Sequence, residues 1–89
     1  MVARSGTLKH RWKRLLARRG ARRAVRGQLA AGWPEVRAAY ERLRRAGLSD
    51  RQALGRLVAV LERETDRSVE RWRPFDREAY ATDLARLPE

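Results

Sequence analysis

Cysteine is absent from this sequence, and histidine occurs once, at His10. Without thiols the chain can form neither disulfides nor thiolate metal sites, and one imidazole cannot supply the several ligands of a zinc centre. We therefore expect no metal and no cofactor. A lone histidine in a basic stretch is typical of a solvated surface residue. No serine lies in a nucleophile-elbow or Ser-x-x-Lys pattern, and no glycine-rich phosphate loop is present, so the sequence favours a non-enzymatic protein.

Bulky apolar residues are also scarce. There is no isoleucine, one phenylalanine and six valines, and 14 residues are alanine. Alanine and leucine favour helices, and the shortage of β-branched residues argues against a sheet, so the expected class is all-α in one small domain. No apolar run reaches the roughly 18 residues of a membrane span. Since no apolar stretch of about 7–15 residues follows the basic N-terminus either, the expected location is the cytoplasm.

Acidic residues are missing from the first third of the chain. Residues 1–34 hold ten lysines and arginines and no acid, whereas residues 35–89 hold twelve arginines against eleven acids. Ten of the eleven excess positive charges therefore lie before residue 35. A GC-rich genome would favour arginine over lysine, but it would not remove every acid from one third of a chain.

The longest apolar periodicity predicts one helix over residues 49–71. Ser49 and Gln52 form a Ser-x-x-Gln capping box. After them, apolar residues recur at i, i+3, i+4 and i+7. The residues expected on the buried face are Leu54, Leu57, Val58, Leu61, Val69 and Trp72.

Three further helices complete a four-helix domain after a flexible arm at residues 1–7. The first is expected over residues 8–31, with Gly20 as a candidate for a bend. The second is expected over residues 34–46, since Pro34 suits a first helical turn and Gly47 a helix end. The last is expected over residues 76–87, with Asp76 as its cap.

Several short motifs occur in the order and at the spacing of a known family. They are Val-x-x-Gln in the first helix, Pro-Glu-Val and Arg-Leu in the second, Gly-Leu-Ser before the long helix, and Phe-Asp-x-x-x-Tyr near the end. On these motifs, residues 18–87 resemble a bacterial family catalogued as a domain of unknown function. The shared residues are Val25, Gln28, Pro34, Glu35, Val36, Arg42, Leu43, Gly47, Leu48, Ser49, Ala53, Phe75, Asp76 and Tyr80.

The same resemblance implies a site that this chain has lost. The family pattern carries histidines and glutamates that suit metal binding or proton transfer. Here Arg18 and Arg22 replace two of those histidines, Arg26 replaces a glutamate, and the second motif reads RQALG at residues 51–55. An arginine neither ligates a cation nor accepts a proton at neutral pH. The chain would then be a degenerate member of a metal-dependent enzyme family, unless the family's histidines serve only in packing or capping.

Two other patterns are weaker. The stretch RLRRAGLSDRQALGRL resembles the opening of a helix-turn-helix, but that motif needs a second turn about eight residues later, and the apolar stripe continues instead. Glu62, Glu64, Asp66 and Glu70 alternate with arginines, which is more typical of a solvated face with weak ion pairs than of a carboxylate active site.

The leading hypothesis is a binding protein whose basic N-terminal helix contacts the phosphates of RNA or DNA. Basic side chains release counterions and give affinity with little sequence readout. Because they are expected to surround the helix, readout of base edges is not expected. Trp12 could stack on an unpaired base, although packing with Leu8, Leu15 and Leu16 is the stronger interpretation. The candidate contacts are Lys9, Arg11, Lys13, Arg14, Arg18, Arg19, Arg22, Arg23 and Arg26.

Alternatives from other classes remain open. The basic helix could dock on an acidic protein or on a second copy of the chain, which the thin core makes attractive. It could also lie on a membrane surface, though its apolar face is short. An acid-free, arginine-rich amphipathic N-terminus also imitates an organelle transit peptide.

Overall fold

The computed structural model describes residues 19–88, which form four α-helices and, within that range, no strand. Helix α1 occupies residues 19–30, α2 spans Pro34–Arg45, α3 spans Asp50–Glu70 and α4 spans Arg77–Ala85. The predicted all-α class is confirmed. The bounds expected for the last three helices lie within two residues of those observed. The arm at 1–7 and the first part of the helix expected over 8–31 lie outside the described residues, and α1 is continuous through Gly20 from residue 19.

A single small core joins the four helices. Helices α2, α3 and α4 pack against one another in all three pairings. The buried apolar side chains are Val25, Val36, Ala39, Leu43, Ala53, Leu54, Leu57, Val58, Val60, Leu61, Tyr80, Leu84 and Leu87. Leucine and valine supply most of this volume, so the core is compact and has few aromatic rings.

The connection between α2 and α3 is fixed by backbone hydrogen bonds and one glycine. Gly47 has φ +98°, a left-handed conformation that suits a residue without Cβ. This allows the N–H of Leu48 to donate to the carbonyl of Leu43 at 3.2 Å, which is the long bond of a Schellman motif. Gly32, with φ +78°, ends α1 in the same way.

Helix α3 begins as predicted. The N–H of Gln52 donates to Oγ of Ser49 at 3.1 Å, and the N–H of Ser49 donates to Oε1 of Gln52 at 2.9 Å. The prediction that Leu54, Leu57, Val58 and Leu61 are buried is confirmed. Because α3 is unbroken from Asp50 to Glu70, it leaves no room for the second turn of a helix-turn-helix.

The far end of α3 contradicts the sequence interpretation. Val69 and Trp72 were expected on the buried face, yet they are 72% and 96% exposed. The helix ends at Glu70, and Trp72 follows its cap with φ +51°. The N–H of Trp72 donates to Val69 at 3.3 Å and that of Arg73 to Ser68 at 3.0 Å. A bulky residue thus stands where a Schellman motif normally has glycine.

Helix α4 is held at both ends and in its middle. At its start, Oδ1 of Asp76 accepts the N–H of Ala79 at 3.1 Å. In its middle, the buried hydroxyl of Tyr80 donates to Oε1 of Gln28 at 2.7 Å, and burial raises the pKa of Tyr80 to about 12. At its end, Arg42 donates from Nε and Nη2 to the carbonyls of Leu87 and Leu84, at 3.0 and 2.8 Å.

A second contact joins the starts of α2 and α4. Arg77 donates to Glu35 twice, from Nη2 at 2.8 Å and from Nε at 3.3 Å. Its guanidinium carbon lies 3.8 Å from the centre of the Trp33 ring. The hydrogen bond from Arg77 lowers the pKa of Glu35. Phe75 packs edge-on against Tyr80, with ring centres 5.4 Å apart, just before the cap.

We predict that Trp72→Gly stabilises the protein. The left-handed conformation costs a bulky residue about 1–2 kcal/mol, whereas glycine adopts it freely and loses about 0.4–1 kcal/mol through the larger entropy of its unfolded chain. The net gain should be about 0.5–1 kcal/mol in the free energy of unfolding measured in urea. Trp72→Ala, which keeps a Cβ at the same φ, is the control and should gain less. A loss of stability in the glycine variant would contradict the inference that the backbone of Trp72 is strained.

Candidate nucleic-acid interface

Four of the nine predicted contact residues lie in the described part of α1, where they form a single stripe. Arg19, Arg22, Arg23 and Arg26 have the spacing i, i+3, i+4 and i+7 and are all exposed. Val25, fully buried, faces the core instead. These four side chains therefore line one side of the helix, and we call them the arginine stripe. The expectation that all nine residues surround it stays a prediction, because the other five lie outside the described residues.

The other five predicted contacts fall outside the described residues. They are Lys9, Arg11, Lys13, Arg14 and Arg18. The same holds for His10 and Trp12. The structure therefore describes four of the nine candidate contacts, and the other five stay predictions.

The arginine stripe has no neutralising partner within residues 19–88. The ion pairs of that range involve Arg67, Arg73, Arg77 and Arg86, and no member of the stripe. A guanidinium is charged at every physiological pH. The stripe therefore presents four exposed positive charges to any polyanion that approaches α1.

The stripe borders a tyrosine of α2. The hydroxyl of Tyr40 donates to Oδ1 of Asp50 at 2.6 Å, which raises the pKa of Tyr40. Arg44 and Arg26 both lie near enough for their charges to act on that pKa in the opposite direction. Arg26 at the C-terminal end of the stripe and Arg44 on α2 therefore lie in the same region of the surface as the Tyr40 hydroxyl.

A shallow depression lies on α2 at this border. It has a volume of about 350 Å³ and is lined by Tyr40, Glu41, Arg44 and Arg45. Since its walls are one ring and the side chains of three charged residues, it is open to water and suits a contact surface better than an enclosed ligand site.

The residues that carry the family resemblance are structural here. Val25, Val36, Leu43, Ala53 and Tyr80 are all fully buried. The rest make caps, helix ends or the polar contacts that hold α4, as described above. By contrast, the substituted positions Arg22, Arg26, Arg51 and Gln52 are exposed, and Gly55 is half-buried. The resemblance therefore depends on the scaffold, and the departures lie at its surface.

The acidic residues of α3 do not form one solvated face. Glu64 is fully buried, and its carboxylate lies 3.5 Å from Arg67 and 3.5 Å from Arg73. Arg67 also lies 3.4 Å from the buried Asp83, although Oδ2 of Asp83 accepts no hydrogen bond from a described residue. The signal for this burial was in the sequence, because Glu64 follows Leu57 and Leu61 at i+7 and i+3 of the apolar stripe.

Within residues 19–88, no three His, Cys, Asp or Glu side chains are grouped so that they could hold a metal ion. No helix of that range has both the length and the apolar character that crossing a bilayer requires. What the fold and the site define is a small all-α protein with a basic face on its first helix. No protein-family model, curated protein or solved structure matches this chain. The family resemblance accordingly stays a prediction.

We predict that Arg73→Met destabilises the protein and that Glu64→Met added to it restores most of the loss. The single change leaves a buried carboxylate with one long contact to Arg67, whereas the double change removes both charges. Because Arg73 is about one third exposed, screening reduces the expected loss to about 1–2 kcal/mol. Urea unfolding of the two variants measures this loss. Equal stability of the single variant and the parent would contradict a stabilising contact between Arg73 and Glu64.

Proposed function

We propose that this chain is a non-enzymatic protein that binds RNA or DNA through the phosphates. The observation that carries the proposal is the arginine stripe: four exposed guanidiniums on one side of α1, without a carboxylate partner among the described residues. The charge distribution supports it, since ten of the eleven excess charges precede residue 35. RNA and DNA are both present in the cytoplasm, where we expect the protein to act.

The spacing of the stripe suits a phosphate backbone. Arg19 and Arg26 are seven residues apart, so the stripe is about 10 Å long at 1.5 Å per residue. A duplex carries one charge per 1.7 Å of axis, and thus about six phosphate charges over that length. Guanidiniums pair with phosphate oxygens in a bidentate manner. Affinity should therefore depend strongly on salt and little on sequence.

A second candidate function, contact with another protein chain, is favoured by a different observation. Trp72 is 96% exposed and Val69 is 72% exposed at the end of α3. A metal-dependent enzyme receives no such support from the residues that the structure describes.

The proposal predicts a steep salt dependence that the arginine stripe controls. With about five to seven phosphate contacts on a duplex, log K against log salt should have a slope of about −4.5 to −6, and a shallower slope on single strands. Replacing Arg19, Arg22, Arg23 and Arg26 with glutamine should make that slope shallower by about 3–4 units. Fluorescence anisotropy with labelled RNA and DNA of several sequences measures both quantities.

The matched control replaces four exposed arginines outside the stripe, Arg37, Arg56, Arg63 and Arg71, with glutamine. This variant has the same net charge as the stripe variant and should bind almost as the parent does. Circular dichroism must show that both variants are folded. Equal weakening in the two variants would mean that total charge alone acts, and a parent that binds neither RNA nor DNA at about 50 mM salt would refute the proposal.

A further inference from the structure

The excess positive charge of the described residues lies on α1 and α2. Residues 19–48 hold eight arginines and two acids, a net charge of +6, whereas residues 49–88 hold eight arginines and eight acids and are neutral. Arg44 and Arg45 at the end of α2 are exposed, and neither forms an ion pair within the described residues. The surface that attracts a polyanion therefore extends beyond the arginine stripe onto α2.

Tyr40 is the aromatic side chain that lies among these cations. Arg44 of its own helix and Arg26 of α1 both act on the pKa of its hydroxyl. Since these two guanidiniums come from different helices, the tyrosine lies in the region of the surface that the two basic helices share. An aromatic ring beside a line of cations is the combination with which proteins bind single-stranded nucleic acid.

The other aromatic rings of the described chain lack this setting. The Trp33 ring is covered by the guanidinium of Arg77, 3.8 Å from the ring centre. Phe75 packs edge-on against a buried tyrosine. Trp72 is exposed, but residues 62–73 carry four arginines against four acids, so no excess of positive charge accompanies it. Among the described rings, the accessible one on the basic pair of helices is therefore that of α2.

The ring of Tyr40 is held in place before any ligand binds. Its hydroxyl donates to Oδ1 of Asp50 at 2.6 Å, and the half-buried ring packs against the edge of the core. A tyrosine side chain has only two torsions, so it offers contact area at a low cost in entropy. A flat ligand that covers a ring already fixed in this way loses little affinity to ordering.

The depression beside the ring is large enough for one base. Its volume of about 350 Å³ lies at the lower end of the range of about 300–1,000 Å³ that small-ligand pockets have. Its walls are Tyr40 and Glu41 on one turn of α2 and Arg44 and Arg45 on the next. A base that projects from a single strand can enter this open site, whereas a base stacked and paired inside a duplex cannot reach it.

The charges around the ring suit a neutral base with a phosphate on either side. The carboxylates there are those of Glu41 and of Asp50, and the second already accepts the hydroxyl of Tyr40. Neither repels a base, because a base carries no net charge. The phosphates that flank the base meet guanidiniums instead, which pair with phosphate oxygens in a bidentate manner.

We propose that the depression on α2 receives an unpaired base of single-stranded RNA or DNA, which stacks on Tyr40 while the arginine stripe and Arg44 hold the adjacent phosphates. This inference rests on the proposed function and narrows it, since the preferred partner becomes a single strand. Every base has a π-face, so stacking tolerates any sequence. The weak dependence on sequence that the phosphate contacts predict is therefore kept.

Fluorescence anisotropy with three labelled probes tests the inference on the full chain at about 50 mM salt. The probes are a single strand, the duplex of the same sequence, and an abasic strand of the same length. The parent should bind the single strand at least about fivefold more tightly than the abasic strand, which is the lower limit of what one stacked base contributes.

Substitutions of Tyr40 assign this difference to its ring. Tyr40→Leu keeps an apolar side chain and removes the ring, so it should weaken single-strand binding about five- to tenfold. Its binding to the duplex and to the abasic strand should stay within about twofold of the parent, because the phosphate contacts remain. Tyr40→Phe keeps the ring and should bind the single strand as the parent does. Circular dichroism must show that both variants are folded.

A second pair of variants tests the phosphate contact beside the ring. Arg44→Gln should make the slope of log K against log salt on a single strand shallower by about 0.7 unit, the value for one phosphate. Arg63→Gln removes the same charge from an exposed position on α3 and should leave the slope unchanged. Equal effects of the two substitutions would overturn the contact of Arg44 with the strand.

The remaining outcomes separate this inference from the proposal on which it rests. A parent that binds neither the single strand nor the duplex would refute both. A parent that binds the abasic strand as tightly as the single strand would overturn the inference alone, and this comparison needs no variant. A preference for the single strand that persists in Tyr40→Leu would overturn it too, because another ring, such as that of Trp12, would then carry the stacking.

Discussion

The guanidinium of Arg42 holds in place a helix that could not form by itself. Helix α4 has nine residues, and isolated helices shorter than about 12–15 residues are marginal in water. The carbonyl of Leu84 in its last turn and the carbonyl of Leu87, just beyond its C-cap, accept hydrogen bonds from Arg42 on α2. The helix in turn places Tyr80, Leu84 and Asp83 over the core between α2 and α3. Arg42 therefore supports the helix that carries the Tyr80 hydroxyl, bonded to Gln28, and the carboxylate of Asp83, which pairs with Arg67.

A second constraint acts at the end of α3, where a buried charge and a strained backbone support each other. Glu64 is buried in a stripe that is otherwise apolar, which is costly for an unpaired carboxylate. Arg73 reaches it only because the chain reverses at Trp72, with φ +51°. The electrostatic contact of Arg73 with Glu64 therefore offsets the strain at Trp72, and the same reversal leaves the indole ring in water. This explains how Trp72 remains exposed although the apolar periodicity of α3 extends to it.

The sequence allowed the helices to be predicted, because their ends depend on local chemistry. Ser49 and Gln52 cap each other within one turn, and Gly47 provides its own left-handed conformation. The exposure of Trp72 could not be predicted in this way, since Trp72 continues the helical periodicity, whereas its backbone leaves the helix with φ +51°. The arginine stripe was present in the spacing of Arg19, Arg22, Arg23 and Arg26. It was missed because these four were grouped with the basic residues before them.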